Sequence, residues 1–178
     1  MMDVVLLAAG YGTRLGLQDR PKALADVNGK PFITFIFDKL IEAGFTRAVV
    51  CISHMAEKFM EEFPDGYKDL RIMWSIEDEP NGTGRSLKNA RYHLNDKFTM
   101  VINADTLTDI DLKEYIADFE ESNAVCSIVL HQNINAGIYI IKTSFIPGIT
   151  ADEPFFLYEG EFTDIGTPET LEEFCDNH

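Results

Sequence analysis

Val4-Val5-Leu6-Leu7-Ala8-Ala9-Gly10-Tyr11-Gly12-Thr13-Arg14-Leu15-Gly16 stands almost at the start of the chain, and its reading decides the fold. Four apolar residues without alternation suit a strand buried on both faces, the kind found where helices cover a sheet on each side. The glycine-rich stretch behind them suits a turn at the strand's carboxyl end, where backbone N–H groups can approach an anion. No Gly-Lys-Ser/Thr closes this turn, so it is not a phosphate loop of that type. Gly10, Gly12 and Gly16 are spaced G-x-G-x-x-x-G, which misses the dinucleotide fingerprint and counts against a nicotinamide-dependent oxidoreductase.

Working outward, the same kind of apolar run recurs at 48–52, 99–102 and 125–130. Leu70, Ile72, Trp74 and Ile76 alternate with polar residues, which predicts a strand with one wetter face. Ile33, Ile36, Phe37 and Leu40 have helical spacing, as do Leu112, Tyr115, Ile116 and Phe119. Asp111 with Glu114 three residues on resembles a capping box, and Thr167-Pro168 marks a last helix start. Met55, Phe59, Met60 and Phe63 read as a further apolar face directed to the core. Repeated strand–helix–strand order predicts an α/β fold of doubly wound type: a mostly parallel sheet flanked by helices, with residues 1–178 as one domain.

Composition narrows the function. Hydrophobic residues make up 46% and charged residues 25% of the 178, the balance of a soluble globular protein. A net charge of −15 argues against binding a nucleic-acid backbone, which requires a basic face. It also means that a protein handling phosphates would need a local cationic patch, a divalent metal, or both. Cys51, Cys126 and Cys175 are odd in number and scattered, so reduced thiols are expected. No segment approaches membrane-spanning length, and the first apolar run is too short for a signal peptide. A cytoplasmic address with no membrane partner is therefore expected. Oligomeric state is not legible, and a homo-oligomer is compatible with the chain.

In open α/β sheets, ligands sit outside the carboxyl ends of the strands, and the unusual loops here follow strand ends. The first places Arg14, Arg20 and Lys22 beside the glycines, supplying cations where the surface as a whole lacks them. Asp105 and Asp164 each follow or end an apolar run. Together they form a candidate pair for Mg²⁺, which is usually held by one or two carboxylates with substrate phosphates and water. The alternative for each is a turn-capping aspartate. Glu77 stands where a base could be read: a carboxylate can accept both N1–H and N2–H₂ of guanine. A solvated acid in the acidic stretch 77–79 is the other reading. Gly82 and Gly84 would let a base lie against backbone, with Thr83 near the following helix start. The four histidines form no grouping with Ser, Cys or Asp, so nucleophilic catalysis has no support.

These motifs resemble a known family. The stretch 7–15 with Pro21-Lys22-Ala23-Leu24 looks like the signature of the sugar-1-phosphate nucleotidylyltransferases, which have the Rossmann-like fold of nucleotide-diphospho-sugar transferases. Gly29-Lys30-Pro31-Phe32, Glu79-Pro80-Asn81-Gly82-Thr83-Gly84, Asn103-Ala104-Asp105-Thr106, Asn135-Ala136-Gly137-Ile138-Tyr139 and Asp164-Ile165-Gly166-Thr167-Pro168 match its later blocks in order. Residues 65–90 look like the D-glycero-D-manno-heptose 1-phosphate guanylyltransferases within it. The resemblance implies transfer of a nucleoside monophosphate from an NTP, GTP favoured, to a sugar 1-phosphate.

It also implies roles. Arg14, Lys22 and Asp105 would be catalytic. Leu7, Ala9, Gly10, Gly12, Thr13, Arg14, Lys22, Glu77, Gly82 and Thr83 would hold the nucleotide. Asn103, Asn135 and Gly137 would line the sugar pocket, and Asp105 and Asp164 would hold Mg²⁺. The chain departs from the family in three places. Only His131-Gln132-Asn133-Ile134 stands where members carry a hairpin with a Glu-Lys-Pro motif, Asn81 replaces a leucine, and Arg85 stands at a small-residue position. The acceptor half is therefore expected to be pared down. A reduced homologue that binds nucleotide or NDP-sugar as a regulatory or assembly module is the second reading.

Overall fold

The computed structural model describes residues 2–10, 19–79, 82–131, 134–148, 156–158, 162–164 and 167–177. In chain order the elements are β1 (Asp3–Leu7), β2 (Asp26–Val27), β3 (Lys30–Pro31), α1 (Ile33–Glu42), β4 (Arg47–Ile52), α2 (Ala56–Glu62), β5 (Arg71–Ile76), α3 (Thr83–Ala90), β6 (Phe98–Asn103), β7 (Thr106–Thr108) and α4 (Leu112–Ser122). They continue as β8 (Cys126–His131), β9 (Ile134–Lys142), β10 (Phe156–Tyr158), β11 (Phe162–Asp164) and α5 (Pro168–Asn177).

The main sheet runs β10-β8-β9-β6-β1-β4-β5. Its pairs are parallel except those that β9 makes with β6 and β8. The expected mostly parallel sheet is thus present, with one reversed strand inserted. Residues alternate between two buried faces. Val4 and Leu6 of β1, Ala48, Val50 and Ile52 of β4, and Met100 and Ile102 of β6 pack with α1, α2, α4 and α5. Val5, Val49, Cys51 and Val101 face the other way, onto Leu87 and Ala90 of α3. This two-sided burial explains the unbroken apolar runs. β5 is an edge strand, and the expected wetter face is not seen there: Ser75 is 4% exposed, whereas Ile76, on the apolar face, is 56% exposed.

The helix signals hold with one exception. Ile33, Ile36, Phe37 and Leu40 are all buried. Asp111 caps α4, accepting from the backbone N–H groups of Lys113 at 2.8 Å and Glu114 at 3.2 Å. Of Met55, Phe59, Met60 and Phe63, however, only the two phenylalanines are buried in the core; Met60 is 37% exposed. One residue along a helix turns the side chain by about 100°, so Met60 follows Phe59 out of the packed face. Cys51, Cys126 and Cys175 are free thiols, as expected. Among the described residues, no helix is long and apolar enough to cross a membrane.

Away from the carboxyl ends, the opposite edge is closed by a polar knot. The buried Asp3 carboxylate pairs with the Arg47 guanidinium and accepts from the backbone N–H groups of Asn95 at 2.5 Å and Asp96 at 2.7 Å. It ties the starts of β1 and β4 to the segment that enters β6.

Candidate functional site

From β1 the chain steps outward to β4 and β5, then returns to place β6 on the other side of β1. That reversal is a topological switch point, where neighbouring loops part and leave a crevice. Three backbone bonds bring the loops to one rim: Ala8 N–H donates to Cys51 C=O, Glu77 N–H to Ile52 C=O, and Ala104 N–H to Leu7 C=O. The Ser53 hydroxyl adds a fourth tie, donating to the Ala9 carbonyl at 2.7 Å. The crevice, about 240 Å³, is lined by Leu7, Ala9, Gly10, Gly82, Thr83, Ser86, Asn103 and Asp105.

Residues from three separate motifs therefore meet there, and a fourth element brings Lys22 to Asp105. Gly82 precedes α3 with φ 84°, a conformation that favours glycine. With Thr83 it opens a helix N-terminus, and its unpaired N–H groups, onto the crevice. Lys22 sits in a short 3₁₀ helix, Lys22–Leu24, behind Pro21, and its Nζ lies 2.8 Å from Asp105 Oδ2. The lysine side chain is 10% exposed and the aspartate 39%, so the cation meets the acid at the rim. The other oxygen of Asp105 accepts from the Thr106 hydroxyl at 3.2 Å.

Asp164 arrives from a distant part of the chain. β11 pairs antiparallel with β7, with Asp164 opposite Thr106. Directly opposed residues in such a pair have Cα atoms about 5 Å apart, which brings the Asp164 backbone to the neighbour of Asp105. Its side chain lies outside the described residues, as do Gly12, Thr13 and Arg14. Arg20 is exposed and stands 3.9 Å from Asp19.

Glu77 directly follows β5 and is 6% exposed. Neither carboxylate oxygen has a hydrogen-bond partner among the described residues. A buried carboxylate without partners is costly, so its retention asks for a reason. Its neighbour Cys51 donates to the Ser86 carbonyl at 3.6 Å. Burial first, then the Glu77 charge, push the Cys51 thiol up to about 12, which leaves it neutral and inert.

On the other side of the crevice, the pairing of Ile102 with Ile138 brings Gly137 beside Asn103. Gly137 has φ 70°, and a Cβ there would fall 2.6 Å from Asn103 Nδ2. The Asn135 amide oxygen accepts from Gly137 N–H at 2.8 Å, and its nitrogen donates to the Tyr139 hydroxyl at 2.6 Å. β8 and β9 pair through His131 and Ile134, so they form one direct hairpin where relatives were expected to carry an insertion.

Sequence reading missed Ser53, Ser86 and Tyr139. Ser86 follows Thr83 at helical i+3 spacing, which could have revealed it. Ser53 and Tyr139 act through contacts that no short motif announces.

A switch-point crevice in a mostly parallel sheet, with a lysine–aspartate pair and a helix N-terminus at its rim, defines an α/β protein equipped for phosphorylated ligands. The family model for nucleotidyl transferases matches residues 3–143, and the chain belongs to that family. It is 29% identical over 223 aligned residues to the D-glycero-alpha-D-manno-heptose 1-phosphate guanylyltransferase of Campylobacter jejuni, covering 99% of this chain and 100% of that protein. The mannose-1-phosphate guanylyltransferase of Mycobacterium tuberculosis is 34% identical over 125 residues, which are 68% of this chain but 34% of that protein. The crystal structure of HddC from Yersinia pseudotuberculosis complexed with GMP-PN superposes with TM-score 0.85 at 26% identity, covering 99% of each chain.

Proposed function

We propose that this protein transfers a nucleoside monophosphate from an NTP, with GTP preferred, to a sugar 1-phosphate, releasing pyrophosphate. The observation that carries the reading is the meeting of Lys22 and Asp105, 83 residues apart in sequence, at 2.8 Å on the rim of a crevice that the α3 N-terminus also faces. That arrangement suits a polyphosphate and its counterion. A non-catalytic scaffold has no evident need for it.

In the reaction, an oxygen of the sugar 1-phosphate attacks the α-phosphorus of the NTP, a new P–O bond forms, and the bond to the β-phosphate oxygen breaks. Pyrophosphate departs with that electron pair. The chain's contribution is positioning and charge stabilisation, with no covalent intermediate. The first loop, with Gly10, Gly12, Thr13 and Arg14, cradles the triphosphate, and Arg14 steadies the departing pyrophosphate. Lys22 neutralises charge at the α-phosphate. Leu7, Ala9, Gly82 and Thr83 line the nucleotide side, whereas Asn103, Asn135 and Gly137 face the acceptor.

Mg²⁺ fits the donor set. Asp105 is a half-exposed carboxylate at the rim, and the β7–β11 register brings Asp164 to its neighbour. One or two carboxylates plus phosphates and water are the usual magnesium ligands. When bound, the ion would draw charge off the phosphate oxygens. The protein would work in the cytoplasm, where NTPs are available.

Glu77 supports the guanine preference. A buried carboxylate with both oxygens free can accept two N–H groups from one base edge, and guanine alone among the common bases offers that pair. Two of the relatives described above are named guanylyltransferases.

The test is to follow pyrophosphate release from each NTP with a panel of sugar 1-phosphates and Mg²⁺. Turnover with GTP and at least one acceptor is expected. Binding of NTPs without release for any acceptor would overturn the proposal in favour of a nucleotide-binding module.

A further inference from the structure

The acceptor wall of the crevice is built on an irregular strand. Between the pairs Ile128–Tyr139 and Leu130–Asn135, β8 has one residue and β9 has three. β9 thus carries a bulge of two extra residues, Ala136-Gly137-Ile138 against Val129. Bulges bend a strand and re-aim its neighbours, and they need something to hold their unpaired backbone. Here the brace is internal. The Asn135 oxygen takes the Gly137 N–H, and the Asn135 nitrogen is in turn held by the Tyr139 hydroxyl. Gly137, held at φ 70°, leaves the space that the Asn103 amide fills. Asn103 lines the crevice together with Asp105.

From this chain of contacts we infer that Tyr139 is a positioning residue: through Asn135 and the bulge at Gly137 it sets where the Asn103 amide stands beside Asp105. It does not line the crevice itself. Its ring packs against the smaller core cluster beneath α3, and only its hydroxyl reaches the bulge. Asn135 thereby acts chiefly as a strut, with one amide N–H left over for a ligand. The inference rests on the proposed acceptor role of Asn103.

Tyr139→Phe is the direct test, since it keeps the ring and removes only the hydroxyl. In the full-length protein, KM for the sugar 1-phosphate should rise about five-fold, as expected for one lost hydrogen bond, with KM for the NTP within about two-fold of the parent. Asn135→Ala should act in the same direction, and the double variant should be no worse than the worse single, because both remove the same brace. An activity-independent readout is the side-chain amide signal of Asn103 in a ¹⁵N NMR spectrum, assigned by its loss in Asn103→Ala. That signal should move in Tyr139→Phe. An unmoved Asn103 signal, additive single effects, or equal rises in both KM values would overturn the inference. Absence of turnover in the parent protein would strike the proposed reaction instead, and the Asn103 signal would still decide the coupling.

Discussion

Asp3 and Glu77 are both buried carboxylates, at opposite ends of the same sheet, and the protein treats them in opposite ways. Asp3 is 4% exposed and surrounded by donors: a guanidinium and two backbone N–H groups. Glu77 is 6% exposed and has no partner among the described residues. The first closes the fold; the second, in the function proposed above, would meet a base that is not part of the chain. Burial alone does not separate structural from functional acids, whereas satisfaction of their oxygens does. Substitutions at the amino end of the sheet should therefore change stability and spare turnover, and those at the carboxyl rim should do the reverse.

The sharpest case is Asp105→Ala. Removing the rim carboxylate should lower kcat by roughly a thousand-fold, about 4 kcal/mol of transition-state stabilisation. The melting temperature should fall by only a few degrees, because the Asp105 carboxylate is 39% exposed. A loss of fold alongside the loss of activity would blur the proposed division. Asp3→Ala is the mirror experiment. It leaves two backbone donors without their acceptor and the Arg47 guanidinium with only the His93 carbonyl, and unfolding by denaturant should show a loss of about 3 kcal/mol. The folded fraction should keep the parent's KM values.

Glu77→Gln sits between these. In the free protein it removes an unpaired buried charge, so stability should hold or rise by about 1 kcal/mol. GTP should lose about ten-fold in kcat/KM relative to the other NTPs, since the glutamine has one acceptor where the carboxylate has two. Thermal unfolding together with kinetics on GTP and ATP checks both. A destabilised variant with unchanged base preference would make Glu77 another Asp3.

How far the sequence foretold these sites follows from the range of the interactions. The strands were legible because two-sided burial demands unbroken aliphatic runs, as at Val4 to Leu7, and the loops behind them advertised Lys22, Asp105 and Gly82. The meeting of Lys22 with Asp105, and of Asp164 with Thr106, could be expected from the rule that ligands gather at strand ends, although the distances could not. The roles of Asp3 and Tyr139 were not legible. An acid at the first position of a strand reads as surface, and its partners Arg47, Asn95 and Asp96 are far along the chain. Tyr139 follows Asn135 by four residues in a strand, so regular pleating would keep them about 13 Å apart at 3.3 Å per residue. Only the bulge brings them into contact. Met60 failed for the opposite reason: its apolar side chain invited a core reading that the helix turn denies.

The smallest effect should come from Ser53, and it separates the two walls of the crevice. Its hydroxyl donates to the Ala9 carbonyl at 2.7 Å, fixing the point where the first loop leaves β1. Both groups are buried, so Ser53→Ala leaves that carbonyl without its side-chain donor and should cost about 1 kcal/mol. In the proposed function the loop it anchors belongs to the nucleotide wall, so KM for the NTP should rise about three-fold while KM for the acceptor stays put. Tyr139→Phe should show the opposite split, because its hydroxyl braces the acceptor wall. If instead each substitution moved both constants together, the crevice would behave as a single mechanical unit, and the assignment of separate walls to separate substrates would have to be given up.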